Sequence, residues 1–380
     1  MNRFRFLLES MSNLASNITA IEPLSTLLVV RGEPSLLLPE LVKRWSITHV
    51  VFESDPTGYA ARRDAKVKEI MKGLGIEVVT ENGHWLYDPE EVVKKHGGKP
   101  LTSMSQLQKA VSSLPSPPKP LEAPKELPLP LVKAGDKPKS ISAVLQELAK
   151  SLQGIDPYIQ NPGPPKVDLN ASANGGERQA DVTCYDQVHG DKAAKKESPD
   201  TTEADFAVPT LASLGMDPKS AGVAEKSAVA GGEQEALKRL AELLKDPAYL
   251  ATFAKPKTSP SSDYVDPSTT LLSPFIKFGC IGIRRLYYDV KEAISKHKGS
   301  SKTSIPENYE GQLLFREMYA ACEVAVGPEI FGRIRGNKVS RYVSVLVLLP
   351  AAIWRRADRL CRLHCRSIGT FPRTTTTRAT

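Results

Sequence analysis

A chain of 380 residues is long enough for two domains, and its 30 unevenly spread prolines argue against one continuous core. The formal net charge is +8, yet from Arg341 onward there are eight arginines, no lysine and one acid (Asp358), a balance of +7. The first 340 residues therefore carry only +1, which leaves the body of the chain without a basic footprint for nucleic acid.

Five cysteines without regular spacing, and no secretory leader, point to a reducing setting in the nucleus or cytoplasm. No apolar run reaches the roughly 18 to 20 residues that a membrane-spanning helix needs. The longest, Val343–Trp354, is shorter and carries Ser344 and Pro350. No feature fixes an oligomeric state.

In chain order, Met1–Ser10 opens as an amphipathic helix. Leu27–Val30, His49–Phe52 and Ile76–Val79 read as buried parallel strands. Helical spacing at Pro34–Trp45 and Tyr59–Leu74 separates them, and Gly75 stands where a helix-ending glycine belongs. Such alternation predicts a small parallel α/β sheet. Glu90-Glu-Val-Val-Lys-Lys95 is a solvated helix face. From Leu114 the composition shifts to proline, as in Pro115-Ser-Pro-Pro-Lys-Pro120, and a short helix over Ser140–Leu152 interrupts this linker. Asp156–Asp205 is poor in apolar residues and is expected to be largely disordered. Order resumes at Phe206. Gly231-Gly-Glu is a turn into a helix, and further helical patterns follow at Ser273–Lys296 and Tyr309–Val326.

The most informative stretch is Pro267-Ser-Thr-Thr-Leu-Leu-Ser-Pro-Phe-Ile-Lys-Phe-Gly279. Ser268, Thr269 and Thr270 lead into Ser273, expected to be an N-cap with Pro274 at the first helical position. A helix start approached by hydroxyls and free backbone N–H groups is a ready place for a phosphate. Further on, Gly311-Gln-Leu-Leu-Phe-Arg-Glu-Met-Tyr319 sets Gln312 and Arg316 on one helical face. Cys361-Arg-Leu-His-Cys365 offers three ligands where a structural metal site usually needs four, so no metal ligand is nominated. Arg355–Arg362 reads as a solvated basic tail.

Both parts of this pattern resemble the flavin-binding region of the cryptochrome/DNA photolyase family, in its animal-type cryptochrome/(6-4) photolyase branch. Other landmarks of the resemblance fall in the family's order: Arg3-Phe-Arg-Phe-Leu-Leu-Glu-Ser, Leu28-Val-Val-Arg-Gly-Glu-Pro, His84-Trp-Leu-Tyr-Asp and Gly97-Gly-Lys-Pro-Leu-Thr in the first part. In the second part they are Phe206–Gly215, Gly231-Gly-Glu and Phe253-Ala-Lys-Pro-Lys-Thr-Ser-Pro. Together they cover residues 1–113 and about 204–342. The resemblance implies a Rossmann-like α/β antenna domain at 1–113, a linker at 114–205 and part of a helical FAD-binding domain at 206–342. An unmatched basic tail at 343–380 would follow.

The same resemblance implies FAD as cofactor, held at its phosphates by Thr269, Thr270, Leu271, Leu272 and Ser273. Lys257 lies where the family closes over the flavin, often with Arg, and a Lys supplies charge there without a planar fork. Gln312 and Arg316 match positions that face the cofactor, with Tyr309 one turn earlier. Phe315 stands where the family usually has Trp. An antenna chromophore of the folate or deazaflavin type is implied in the α/β domain. Damaged DNA is implied as substrate, or signalling proteins as partners if the chain is a blue-light photoreceptor. The Ser268–Cys280 segment favours the (6-4) type over the cyclobutane-dimer type.

The family's first two strands and the helix between them would precede Met1, and its later helices, with the electron-transfer tryptophans and repair histidines, would follow Arg341. The chain is therefore expected to be truncated at both ends, with no catalytic residue of its own, and a truncated product without cofactor or activity is a further reading beside the enzyme and the photoreceptor. The switch from mixed Lys and Arg to Arg alone after Arg341 fits a shifted reading frame.

Overall fold

The computed structural model describes residues 2–30, 32–56, 58–127, 140–153, 206–214, 229–255 and 269–327. Outside them lie the 156–205 insertion, Lys257, Ser268, the Val343–Trp354 run, the Cys361–Cys365 cluster and the rest of the tail.

Helix α1 spans Asn2–Ile21, and Phe6, Leu8, Met11 and Ile18 on it are buried, as the amphipathic opening predicts. Helix α2 (Pro34–Arg44) places proline in its first turn, where no N–H is needed, and buries Leu37, Leu38, Leu41 and Val42. Strands β1 (His49–Glu53) and β2 (Glu77–Glu81) pair in parallel, with Val50 opposite Val78. The crossover is α3 (Gly58–Gly73), after which Gly75 takes a φ of 72° that favours glycine. Leu38, Val42, Val67 and Met71 from α2 and α3 cover Val50 on one face of the sheet.

The sheet has two strands, one fewer than the sequence suggests. Leu27, Leu28 and Val29 are buried, as a core strand would be, but they form no ladder. Leu27 and Val29 pack beside α1, Leu28 packs against α2, and the Val29 amide donates to Phe206 O at 3.0 Å. A short apolar run reports burial; strand structure needs a neighbour with free backbone groups, and among the described residues none lies alongside.

Helices α4 (Pro89–Lys95), α5 (Met104–Val111) and α6 (Ile141–Ser151) begin at side-chain caps from Asp88, Ser103 and Ser140. Helix α6, inside the proline-rich stretch, is packed into the α/β part. Its Val144, Leu145 and Leu148 meet Leu28, Leu37, Leu41 and Trp45, and Trp45 Nε1 donates to Ser151 Oγ at 2.7 Å. Pro117 is buried as well, and its carbonyl accepts from the Tyr288 hydroxyl.

The second part is helical: a 3-10 turn at Ala212–Leu214, then α7 (Glu233–Leu244), α8 (Pro247–Thr252), α9 (Ser273–Lys277), α10 (Ile283–Ser295) and α11 (Tyr309–Val326). Its core is built on Leu250, Leu272, Phe275, Ile283 and Leu286, all nearly inaccessible. Phe6 of α1 and Leu86 join that same cluster, with the Phe6 ring edge-on to Phe275 at 5.1 Å. The apolar core therefore runs from one part into the other. Among the described residues no helix is long and apolar enough to cross a membrane, and no cluster of His, Cys, Asp and Glu could hold a metal.

Candidate functional site

Thr269, Thr270 and Leu271 approach α9 half-buried, and Leu272 is 1% exposed. The chain turns at Leu271, whose φ of 53° is left-handed and costly for a branched side chain. That turn moves the helix start. Leu272 occupies the cap position, Ser273 is the first helical residue, and no side chain caps the end, so Ser273 is not the N-cap its sequence suggests. The reason is local: burying Leu272 fixes the turn one residue early, and Ser273 is left exposed. With five residues, α9 has a weaker end charge than a long helix.

The Thr270 side chain interacts with Tyr309 at the start of α11, and this joins the two sequence-nominated segments. Tyr309 is buried, edge-on to Phe253 at 5.7 Å, and burial raises its hydroxyl above the ordinary value. Helix α11 starts tightly: Asn308 Oδ1 accepts from the Gly311 amide at 2.8 Å, and Gln312 Nε2 donates to Pro306 O at 3.3 Å. One turn on, Lys255 Nζ lies over the Phe315 ring at 5.4 Å.

Arg316 is turned toward the α/β part. Its Nη1 donates to His84 O at 2.6 Å, and its guanidinium lies 4.1 Å above the Trp85 ring. The segment Asn82–Tyr87 under it also receives Arg284 from α10, whose Nη2 donates to Asn82 O at 2.8 Å. Glu317, adjacent to Arg316, accepts from the Leu86 and Tyr87 amides at 3.0 and 3.2 Å. Its side chain is 2% exposed, and burial pushes its carboxyl up to about 7 against the lowering effect of Arg316, those two amides and Arg284. Burial, Arg316 and Lys277 push His84 down to about 3, with Asp55 opposing. Glu317 and Arg284 were not nominated from the sequence. The available signals were the Arg316-Glu317 step inside the motif and the His84-Trp-Leu-Tyr-Asp landmark.

The nominated residues fit FAD in part. Arg316 Nη2 is a buried donor without a hydrogen-bond partner, and the Thr270 side chain meets Tyr309 of α11, which brings one hydroxyl of the segment to that helix. Gln312 Nε2 and Arg316 Nη1 are held by backbone carbonyls of the protein itself. A separate cleft of about 510 Å³ between α1 and Pro209–Leu211 is lined by Arg5, Glu9 and Asn13 and by none of the nominated residues.

This arrangement defines a class: a parallel α/β unit whose core continues into a helical unit carrying a hydroxyl-rich segment and a Gln–Arg helix face. Residues 1–125 match the family model described as DNA photolyase. A (6-4) DNA photolyase from Arabidopsis thaliana is 30% identical over 90% of this chain and 48% of its own length. Cryptochrome-2 from Gallus gallus is 29% identical over 89% of this chain and 46% of its own. Among solved structures, a Synechocystis cryptochrome aligns with a TM-score of 0.53 and 17% identity, covering 87% of this chain and 52% of that one. A class III photolyase from Agrobacterium tumefaciens aligns at 0.51. The chain is thus similar over about nine tenths of its length to photolyases and cryptochromes, its first 125 residues match that family's model, and it spans about half the length of the relatives it matches.

Proposed function

We propose that the chain is an FAD-dependent protein of the (6-4) photolyase kind, acting on pyrimidine photoproducts in damaged DNA under blue light. The observation that carries this reading is the side-chain interaction of Thr270 with Tyr309, which sets the hydroxyl-bearing segment against the helix of Gln312 and Arg316. Thr269, Thr270 and the backbone amides of Leu271–Ser273 would hold the pyrophosphate of FAD, and Lys257 would add charge. Gln312 and Arg316 would meet the cofactor from α11, Arg316 through its unpartnered Nη2. When bound, FAD supplies the light-driven electron transfer, and a flipped-out lesion is the family's substrate. An antenna chromophore of the folate or deazaflavin type in the α/β part, and a place in the nucleus or cytoplasm, belong to the same reading.

A second reading, a cryptochrome photoreceptor that signals through partner proteins, draws support from Phe315. Lys255 covers its ring, so that side chain is less open to pack on a lesion than a bare indole would be.

The test is the absorbance of the purified chain at about 370 and 450 nm, where oxidised flavin absorbs. A colourless protein that gains no flavin on incubation with FAD refutes the flavoprotein reading. With flavin bound, blue-light repair of an oligonucleotide carrying a (6-4) photoproduct supports the enzyme, and its absence supports the photoreceptor.

A further inference from the structure

We propose that Asn82–Tyr87 is a latch between the α/β part and the helical part, tightened when the buried Glu317 carboxyl takes up a proton. The segment leaves β2 and enters α4, so it belongs to the α/β part by chain order. Its backbone is nevertheless held mainly from the other side. Arg284 binds Asn82 O, Arg316 binds His84 O, and Glu317 Oε2 accepts from the Leu86 and Tyr87 amides. From the α/β side, Glu53 accepts from the His84 amide at 2.7 Å. The Trp85 ring, 6% exposed, is clamped beneath Arg316.

Proton linkage follows from where Glu317 sits. Its ion-pair partner Arg316 is 3.4 Å away, and almost no solvent reaches the carboxyl. Such a group holds its proton more tightly than one in water, here up to about 7 against an ordinary 4.5. If the latch opens, Glu317 meets water and returns to the ordinary value. The closed form then binds more protons than the open form between pH 4.5 and about 7, so acid favours closure and rising pH loosens it. A protonated carboxyl keeps a carbonyl oxygen to accept from the two amides.

Two of the groups on the segment itself lie outside that window. His84 is held down to about 3, and the Tyr87 phenol is pushed up to about 12 by burial, with Tyr287, Glu310, Glu317 and Tyr288 adding to it. Burial also raises Glu53 at the end of β1, against the His84 and Gly83 amides and Arg284, so Glu53→Gln is one control and should keep the slope; Asp55 and Lys277 complete the charged surroundings. Glu323, further along α11, does share the window: burial and Asp55 raise it to about 7, with Lys277 opposing. It serves as the other control.

The experiment is hydrogen exchange read by mass spectrometry on the whole chain, without cofactor, from pH 5.5 to 8.5, corrected for intrinsic rates. Protection of peptides covering Asn82–Tyr87 should fall about 30-fold across that range, while peptides from β1 stay flat. Glu317→Gln, which keeps the shape but cannot ionise, should abolish the slope, and Glu323→Gln should leave it. A flat latch in the wild type, an equal slope in β1, or a slope surviving Glu317→Gln overturns the proposal. If Glu317→Gln does not fold, a slope confined to the latch in both the wild type and Glu323→Gln supports it, and loss of that slope in Glu323→Gln overturns it. The measurement is independent of whether flavin binds.

Discussion

Replacing Gly311 with alanine sets two effects of opposite sign against each other at the start of α11. Helix propensity alone favours alanine by about 1 kcal/mol. The surroundings oppose it: a Cβ at Gly311 would lie 2.2 Å from Pro306 O, 2.5 Å from Pro306 C and 2.8 Å from its Cα. These are backbone atoms, so no side chain can swing aside. Either the Pro306 turn or the first turn of α11 has to move. Overpacking of this sort costs about 1 to 3 kcal/mol. Moving the turn also strains the Asn308 cap on the Gly311 amide, and losing that cap costs about 1 kcal/mol more. The clash wins, and Gly311→Ala is expected to destabilise the chain by about 1 to 3 kcal/mol net. Urea unfolding followed by far-ultraviolet circular dichroism reads this as a lower midpoint at unchanged slope. A midpoint equal to or above that of the wild type would refute the reasoning, because propensity would then outweigh the contact with Pro306.

Tyr309→Phe removes the hydroxyl that meets Thr270 and is expected to cost about 1 kcal/mol, read as a lower urea midpoint. It should also weaken any FAD binding measured by fluorescence titration, since Thr270 loses its anchor. Trp45→Phe deletes the bond to Ser151 Oγ and should raise hydrogen exchange in 141–151 more than in α10; equal exchange in both would contradict the packing of α6 on the α/β part. Glu323 has a folded value of about 7, above its ordinary 4.5, so its contribution to stability is complete below pH 4.5 and is lost as pH rises toward 7. Glu323→Gln should therefore flatten the pH dependence of the urea midpoint between pH 5 and 8, and an unchanged profile would argue against a buried titrating group there.

Much of the local structure was legible because it is written in short-range chemistry. Ser140 caps α6, Gly75 ends the crossover helix, and the apolar spacing of Gly311–Tyr319 makes α11 with Gln312 and Arg316 four apart. The errors came where a residue's state depends on what lies beside it. Leu27–Val30 reads as a strand because it is a short apolar run, yet a strand exists only through a partner, and the Val29 amide turns to Phe206 instead. Ser273 has the chemistry of an N-cap, but burial of Leu272 through the left-handed turn at Leu271 starts the helix one residue sooner.

The sequence by itself carried the resemblance to a family and the hydroxyl-rich segment at Thr269–Ser273, because motif order and residue type survive without coordinates. Only the tertiary structure decided how those residues are employed. Thr270 and Tyr309 come together across a gap in sequence, whereas Arg316 and Glu317 are spent on the backbone of Asn82–Tyr87. The physical reason is burial. A charged side chain taken out of water has to find hydrogen-bond partners, and which partners it finds is set by the packing of α11 on the α/β part, which no local pattern records.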